Sequence, residues 1–338
     1  MTLPQGFFGG VDLLGLVLLH FLWQGFALGL LYGVLRPLCS GVVARYRLGI
    51  GALFALALAP LVTAIYLWPA ASAPAGEVSS FARTIAAVTA PLAASGWQVQ
   101  SLLPWLVAAW LSGVLIIAAR SLWQWRKLAH LVRSASPVPA QWEDRLARLC
   151  ARFDLRGPVR LLCSTAAATP MLIGWLKPVI LLPASLLSGF TPQQIELIIA
   201  HELGHIRRFD YLVNLIQVAI ETVLFYHPIV HWISRDVRNA REACCDDLVL
   251  QLAGDNRLAY AHALADLEEL RLNAALGAGG GALLARIRRI VGETEMPEPL
   301  PRSYALPILL VCAAVASLLW RSQHNTPELA AAAHTSRI

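Results

Sequence analysis

The chain has 338 residues, of which 57% are hydrophobic and only 14% charged, and its mean hydropathy is +0.59. Soluble domains carry roughly 25% charged residues, so neither a disordered chain nor an ordinary cytosolic enzyme has this composition. The net charge of +6 arises from 27 basic and 21 acidic residues without a dense Lys/Arg run, so no direct nucleic-acid binding is expected; the partner that composition predicts is a lipid bilayer.

Crossing about 30 Å of hydrocarbon takes roughly 20 helical residues. Segments 11–35, 48–68 and 102–119 meet that length or approach it. Trp97, Trp105 and Trp123 lie near the ends of the third, where membrane interfaces collect aromatics. A shorter fourth candidate, 305–320, contains Pro307. No basic stretch precedes the first apolar run, which therefore reads as an uncleaved span. Arg36, Arg45 and Arg47 occupy the first loop, and Arg120, Arg126 and Lys127 follow the third span. By the positive-inside rule these place the large polar segment in the cytoplasm. The predicted organisation is three spans in 1–122, a cytoplasmic domain in 123–304, a fourth span in 305–320 and a short outer tail in 321–338.

Within 123–304, residues 142–153 have amphipathic helical spacing, and 159–163 and 179–182 are short apolar runs that read as strands. The second strand is expected to be the sheet edge on which an extended substrate would lie. Helices are predicted over 193–207, 211–227, 231–252 and 257–276. In the second of these, Asn214, Gln217 and Glu221 form a polar stripe that predicts a helix partly facing water or the site, not a fifth span. Segment 277–281 is Gly-rich, and Pro297, Pro299 and Pro301 form a stiff connector. The six cysteines lack disulfide or zinc-ribbon spacing; adjacent Cys244 and Cys245 should point in different directions on a helix.

His201-Glu202-Leu203-Gly204-His205 is an H-E-x-x-H sequence on a helix that Thr191-Pro192 would start. The two histidines lie one turn apart on one face and can share a metal ion. Glu202 stands beside them, where it can take a proton from an activated water. A catalytic zinc site usually needs a third protein ligand, and Asp210, Glu221, His227, His231, Glu242 and Asp246 are the candidates. A Glu on a second helix, as Glu242 would be, is the arrangement of His₂Glu zinc enzymes. Asp246, one turn on, is placed to accept a hydrogen bond from a ligand histidine. Arg208 and Asp210 read as a brace for the motif helix. His227 and His231 could instead bind a transition-state oxygen, although His227-Pro228 reads more simply as a helix stop.

His201–His205 with Arg208 and Asp210, then His227-Pro228, then residues 238–247, together with the upstream run 169–183, resemble the integral-membrane zinc metallopeptidases of the BlaR/MecR type, peptidase family M56. The resemblance covers about residues 10–320. It implies that His201, His205 and Glu242 bind Zn²⁺ and that Glu202 is the general base and acid. It further implies a mostly α protein of a bacterial inner membrane, with about four transmembrane helices. A cytoplasmic, gluzincin-like α+β protease domain would be inserted between the third and fourth. The substrate class would be a cytoplasmic or membrane-proximal protein, a transcriptional repressor or the chain itself, and a homodimer is compatible with this. Self-cleavage is expected in the glycines Gly279, Gly280 and Gly281 or in the following Ala282, Leu283, Leu284, Ala285 and Arg286. No Ser-x-x-Lys motif occurs and only 18 residues follow Trp320, so β-lactam acylation is not expected to carry over. A housekeeping membrane protease and a non-catalytic zinc-containing receptor or scaffold are the rival readings.

Overall fold

The computed structural model describes residues 5–72, 99–155, 157–174, 177–253, 256–274 and 281–292. The expected fourth span and tail, the proline connector, Gly279 and Gly280 lie outside these. Three long helices open the chain: α1 (Gln5–Leu35), α2 (Val42–Ser72) and α3 (Val99–Arg133). They supply three stretches long and apolar enough to cross a membrane, Gly9–Leu38 (which includes the short turn Arg36–Leu38 after α1), Val42–Trp68 and Ser101–Arg133. Helix α3 continues well past the expected end at residue 119, because nothing between Gly113 and Arg133 breaks a helix. Its last turns deliver Leu131 and Val132 to the face of a small sheet.

That sheet comprises β1 (Ser136–Pro137), β2 (Arg160–Ser164), β3 (Met171–Ile173) and β4 (Val179–Pro183), in the order β1-β2-β4-β3. β2 and β4 run parallel with Leu162 opposite Leu181, and β3 returns antiparallel with Leu172 opposite Ile180. The expectation that 179–182 forms an edge is therefore corrected. β4 is paired on both sides and wholly buried, as its continuous apolar run requires of a central strand. The edge beyond it is β3, whose residues are only partly buried.

Helices α4 (Ala140–Arg152), α5 (Ala184–Gly189), α6 (Pro192–Arg207), α7 (Asp210–Val223), α8 (Pro228–Ala253), α9 (Arg257–Ala274) and α10 (Gly281–Val291) complete the described chain. Two principal cores result. One joins Trp142 and Leu146 of α4, Ile180 and Leu182 of β4, Ile195, Ile199 and Leu203 of α6, and Tyr260 of α9. The other joins Phe21 and Tyr32 of α1 and Leu53 and Leu56 of α2 to Ile220 of α7 and Ile229, Ile233 and Val237 of α8. Helix α8 belongs to both, since its Val249 lies in the first core.

Close packing of α8 on the spans rests on glycine. Gly25, Gly29 and Gly33 recur every fourth residue of α1; a Cβ at Gly25 would overlap the His227 imidazole, and one at Gly29 would lie 2.7 Å from Ile229. Small residues at this spacing let membrane helices approach closely. The hydroxyl of Tyr32 and the guanidinium of Arg36 both bond Asp236 of α8, the latter at 2.7 Å through two nitrogens.

Two further expectations change. The polar stripe of α7 turns mainly to α8, although Asn214 stays exposed: Gln217 donates to the Ser234 carbonyl at 2.7 Å, Glu221 pairs with Arg238 at 2.6 Å, and Asn214 accepts from Arg241 at 3.3 Å. The expected cleavage segment is helical from Gly281 through Arg286. Leu283, Ile287 and Ile290 fall on one helical face, and that face packs on the first core.

Candidate metal centre

Helix α6 starts as its sequence dictates. Thr191 caps it, accepting from the Gln194 backbone N–H at 3.3 Å, while the Gln194 side chain accepts from the Thr191 N–H at 2.9 Å, and Pro192 occupies the first turn. The helix buries Ile195, Ile198, Ile199 and Leu203, which fixes the rotation that carries His201 and His205 toward α8. Gly204 lies at the crossing, where a Cβ would make ordinary packing contact with Cys245 at 3.5 Å.

At this crossing one ligand atom each from His201, His205 and Glu242 lies within 4.8 Å of the others. The facing atoms are the two Nε2 nitrogens: His201 Nε2 is 3.3 Å and His205 Nε2 is 3.8 Å from the Glu242 carboxylate. Both Nδ1 atoms are engaged behind the rings. His205 Nδ1 is 2.9 Å from Asp210 Oδ2; a carboxylate can only accept, so the proton resides on Nδ1 and the Nε2 lone pair points to the centre. His201 Nδ1 is 2.9 Å from the Tyr260 hydroxyl and 3.3 Å from Asp246. Tyr260 gives its own proton to Asp246 at 2.7 Å, so its oxygen accepts from His201. Carboxylates behind both imidazoles fix the tautomers a metal needs.

Further side chains hold those carboxylates. Asp210 accepts from Tyr46 of α2 at 3.0 Å, and Arg208 lies 3.4 Å away. Asp246 is fully buried and receives Arg286 of α10 through two nitrogens, at 2.7 and 3.0 Å. Arg286 also stands 3.5 Å from Glu242, and Arg289 binds Asp247 at 2.6 Å. Burial opposes the charge on His201, but hydrogen bonds to Asp246 and Glu242 outweigh it and raise the group to about 9. Burial likewise opposes ionisation of Glu242, yet His201, His205 and Arg286 hold it down at about 2. The centre therefore favours a cation where the Nε2 proton would otherwise sit.

A second grouping, His205, Asp210 and Cys245, exists among the described residues. Its thiol does not suit a ligand: burial pushes Cys245 far above its ordinary range, and it donates to Asp210 at 3.4 Å. Cys244 belongs to the core against the spans, so the adjacent thiols do diverge. The other third-ligand candidates are engaged elsewhere: His227 Nε2 bonds the Leu22 carbonyl at 3.0 Å and His231 Nε2 the Phe225 carbonyl at 2.7 Å. Sequence reasoning missed Tyr260 and saw Arg286 only as part of the expected self-cleavage segment. Neither residue carried a signal in the sequence, since both come from helices distant in the chain.

The fold and this donor set define a membrane metallopeptidase. A family model described as BlaR1 peptidase M56 matches residues 50–292, and the chain belongs to that family. The regulatory protein BlaR1 of Bacillus licheniformis is 25% identical over 146 residues, 43% of this chain and 24% of that protein. The methicillin resistance mecR1 protein of Staphylococcus aureus is 23% identical over 148 residues, 44% of this chain and 25% of its own length. The match thus spans about a quarter of either relative. Protease HtpX of Chromohalobacter salexigens is 24% identical over 246 residues, 66% of this chain and 81% of that protein.

Proposed function

We propose that the chain is a zinc endopeptidase that cuts a cytoplasmic or membrane-proximal protein. The convergence of two Nε2 lone pairs and the Glu242 carboxylate, beside Glu202 on the same helix, carries this reading. His201, His205 and Glu242 would hold Zn²⁺, which when bound lowers the pKa of water and polarises a scissile carbonyl. Asp210, Asp246 and Tyr260 keep both imidazoles aligned. Glu202 takes a proton from the attacking water and delivers it to the leaving amine. The β3 edge offers main-chain hydrogen bonds to an extended peptide.

Glu202→Gln is expected to keep zinc and lose at least about 10²-fold in turnover, because it removes the base and not a ligand. Glu242→Gln is expected to lose most metal. Zinc content by elemental analysis, beside hydrolysis of an unfolded protein, checks both. Full occupancy in Glu242→Gln would assign the third ligand elsewhere, and a wild-type protein that holds zinc but hydrolyses nothing would leave a structural metal site in a receptor or scaffold.

Regulated signalling by proteolysis, with the protease segment on the cytoplasmic side of a bacterial inner membrane, is the role proposed from the BlaR/MecR resemblance. Reporter fusions at Gly76 and Gly280 should read outside and inside respectively. Self-cleavage belongs to the same proposal. Since α10 begins at Gly281, a cut beyond that residue requires the helix to unwind and Arg286 to leave Asp246. A cut present in wild type and absent in Glu202→Gln is the expected mass-spectrometric result. The match to most of protease HtpX favours a second reading, a housekeeping membrane protease. Turnover of damaged membrane proteins with no effect on a repressor would select it.

A further inference from the structure

Helix α7 has its polarity inverted relative to a water-soluble helix. Asp210 and Gln217 are buried, Glu221 is partly buried against Arg238 of α8, and Asn214, at the margin of the outward face, is exposed but bonded to Arg241. The outward face carries Leu212, Leu215, Ile216, Ala219 and Val223. These follow helical spacing along the whole element, and four of them are between 40% and 45% exposed. Polar inside and apolar outside is the arrangement a helix adopts against hydrocarbon.

The position of α7 agrees. Its first residue, Asp210, bonds Tyr46 near the start of α2. At the other end, the Val223 carbonyl accepts from Trp110 Nε1 of α3 at 2.9 Å. Tyr226 donates to the Leu18 carbonyl at 3.3 Å, and His227 bonds Leu22 at 3.0 Å, both deep within α1. Two helical rulers give the depth: Asp210 to Val223 rises about 20 Å, and Arg36 back to Leu22 about 21 Å. Both fall short of the roughly 30 Å hydrocarbon thickness. The chain then turns back through Pro228 into α8, whose early residues pack on the glycine stripe of α1.

We infer that α7 and the first half of α8 form a re-entrant hairpin, and that acyl chains of the bilayer cover the Leu212–Val223 face. The helix lies beside α2 and α3, and Ile216 lines a groove with Ile50 and the exposed Phe54 of α2, a span whose further exposed apolar residues include Leu61 and Ile65. The hairpin enters and leaves on the side that carries the metal centre, so the peptidase site stands at the bilayer surface. This inference concerns the hairpin alone and does not depend on the proposed activity.

The test uses full-length protein in lipid nanodiscs, with the cysteines other than buried Cys244 and Cys245 replaced by serine. Leu212→Cys, Leu215→Cys, Ile216→Cys and Val223→Cys are spin-labelled singly, with Leu61→Cys and Glu143→Cys as lipid and water references. Unchanged thermal midpoints check that each variant folds. Collision with oxygen relative to a water-soluble nickel complex should rise from Leu212 to Val223 and there match Leu61. Nickel accessibility like that of Glu143 would show a wet face and overturn the inference. Low accessibility to both reagents would show a protein cover, from a second copy or another part of the chain, and would overturn it equally.

Discussion

Helices α6 and α7 are consecutive and oppositely built. α6 buries Ile195, Ile198, Ile199 and Leu203, whereas α7 buries Asp210 and Gln217 and turns Leu215 and Ile216 outward. The hydrophobic effect sorts the first arrangement; the second is stable only where the outside is apolar as well. The changeover takes two residues, Arg208 and Phe209, and Phe209 adopts the left-handed region with φ of +57°. His205 therefore lies within about one turn of the place where the surrounding medium changes.

Mutations that act differently in the two halves test this contrast. In the water-facing core, the lost volume should dominate: Leu182→Ala, at a fully buried site in β4, is expected to cost about 3 kcal/mol. Thermal or denaturant unfolding in detergent would show it, and a cost below about 1 kcal/mol would mean that this core is loosely packed. Among the spans, added volume should dominate. Gly29→Leu must displace Ile229, which lies 2.7 Å from the new Cβ, at a cost of about 2 kcal/mol. Its metal content should fall as well, because a push at Ile229 tilts the helix that carries Glu242. Metal content near wild type beside the lost stability would show that the two halves of α8 behave separately.

The smallest change expected is in the metal centre itself. Tyr260→Phe removes the hydroxyl that joins His201 to Asp246 and should weaken metal affinity roughly tenfold, measured by competition with a chelator. The fold should stay intact, since the ring still fills its place. An unaltered affinity would mean that Asp246 alone, at 3.3 Å, suffices to orient His201.

These outcomes bear on what could be read from the residues alone. His201, His205 and the cap at Thr191 were legible because they lie within one helix, where spacing fixes proximity. Glu242 and Asp246 needed only a second helix packed on the first. Tyr260 and Arg286 reach the site from α9 and α10, and periodicity along a chain carries no information about which distant helix closes on which. The stripe Asn214, Gln217 and Glu221 was seen, but its direction was not. A polar stripe marks the wet side only when the medium is water; beside lipid it marks the protein. The run 179–182 likewise read as a strand while its neighbours were hidden, because strand order depends on pairing across the intervening β3. The helix from Gly281 was obscured by its glycines, although Leu283, Ile287 and Ile290 already had helical spacing.

Helix α8 is a continuous rod of 26 residues, held at Asp236 by Arg36 and Tyr32 and bearing Glu242 six residues further on. Six residues are an arm of about 9 Å. Metal sites accept errors of about 0.2 Å in ligand position, which at that radius corresponds to a tilt of little more than about one degree. The arm thus makes the geometry of the centre a gauge of how α1 and α8 lean on each other. Any change in how α1 leans on α8 therefore moves the Glu242 carboxylate relative to the two imidazoles on α6.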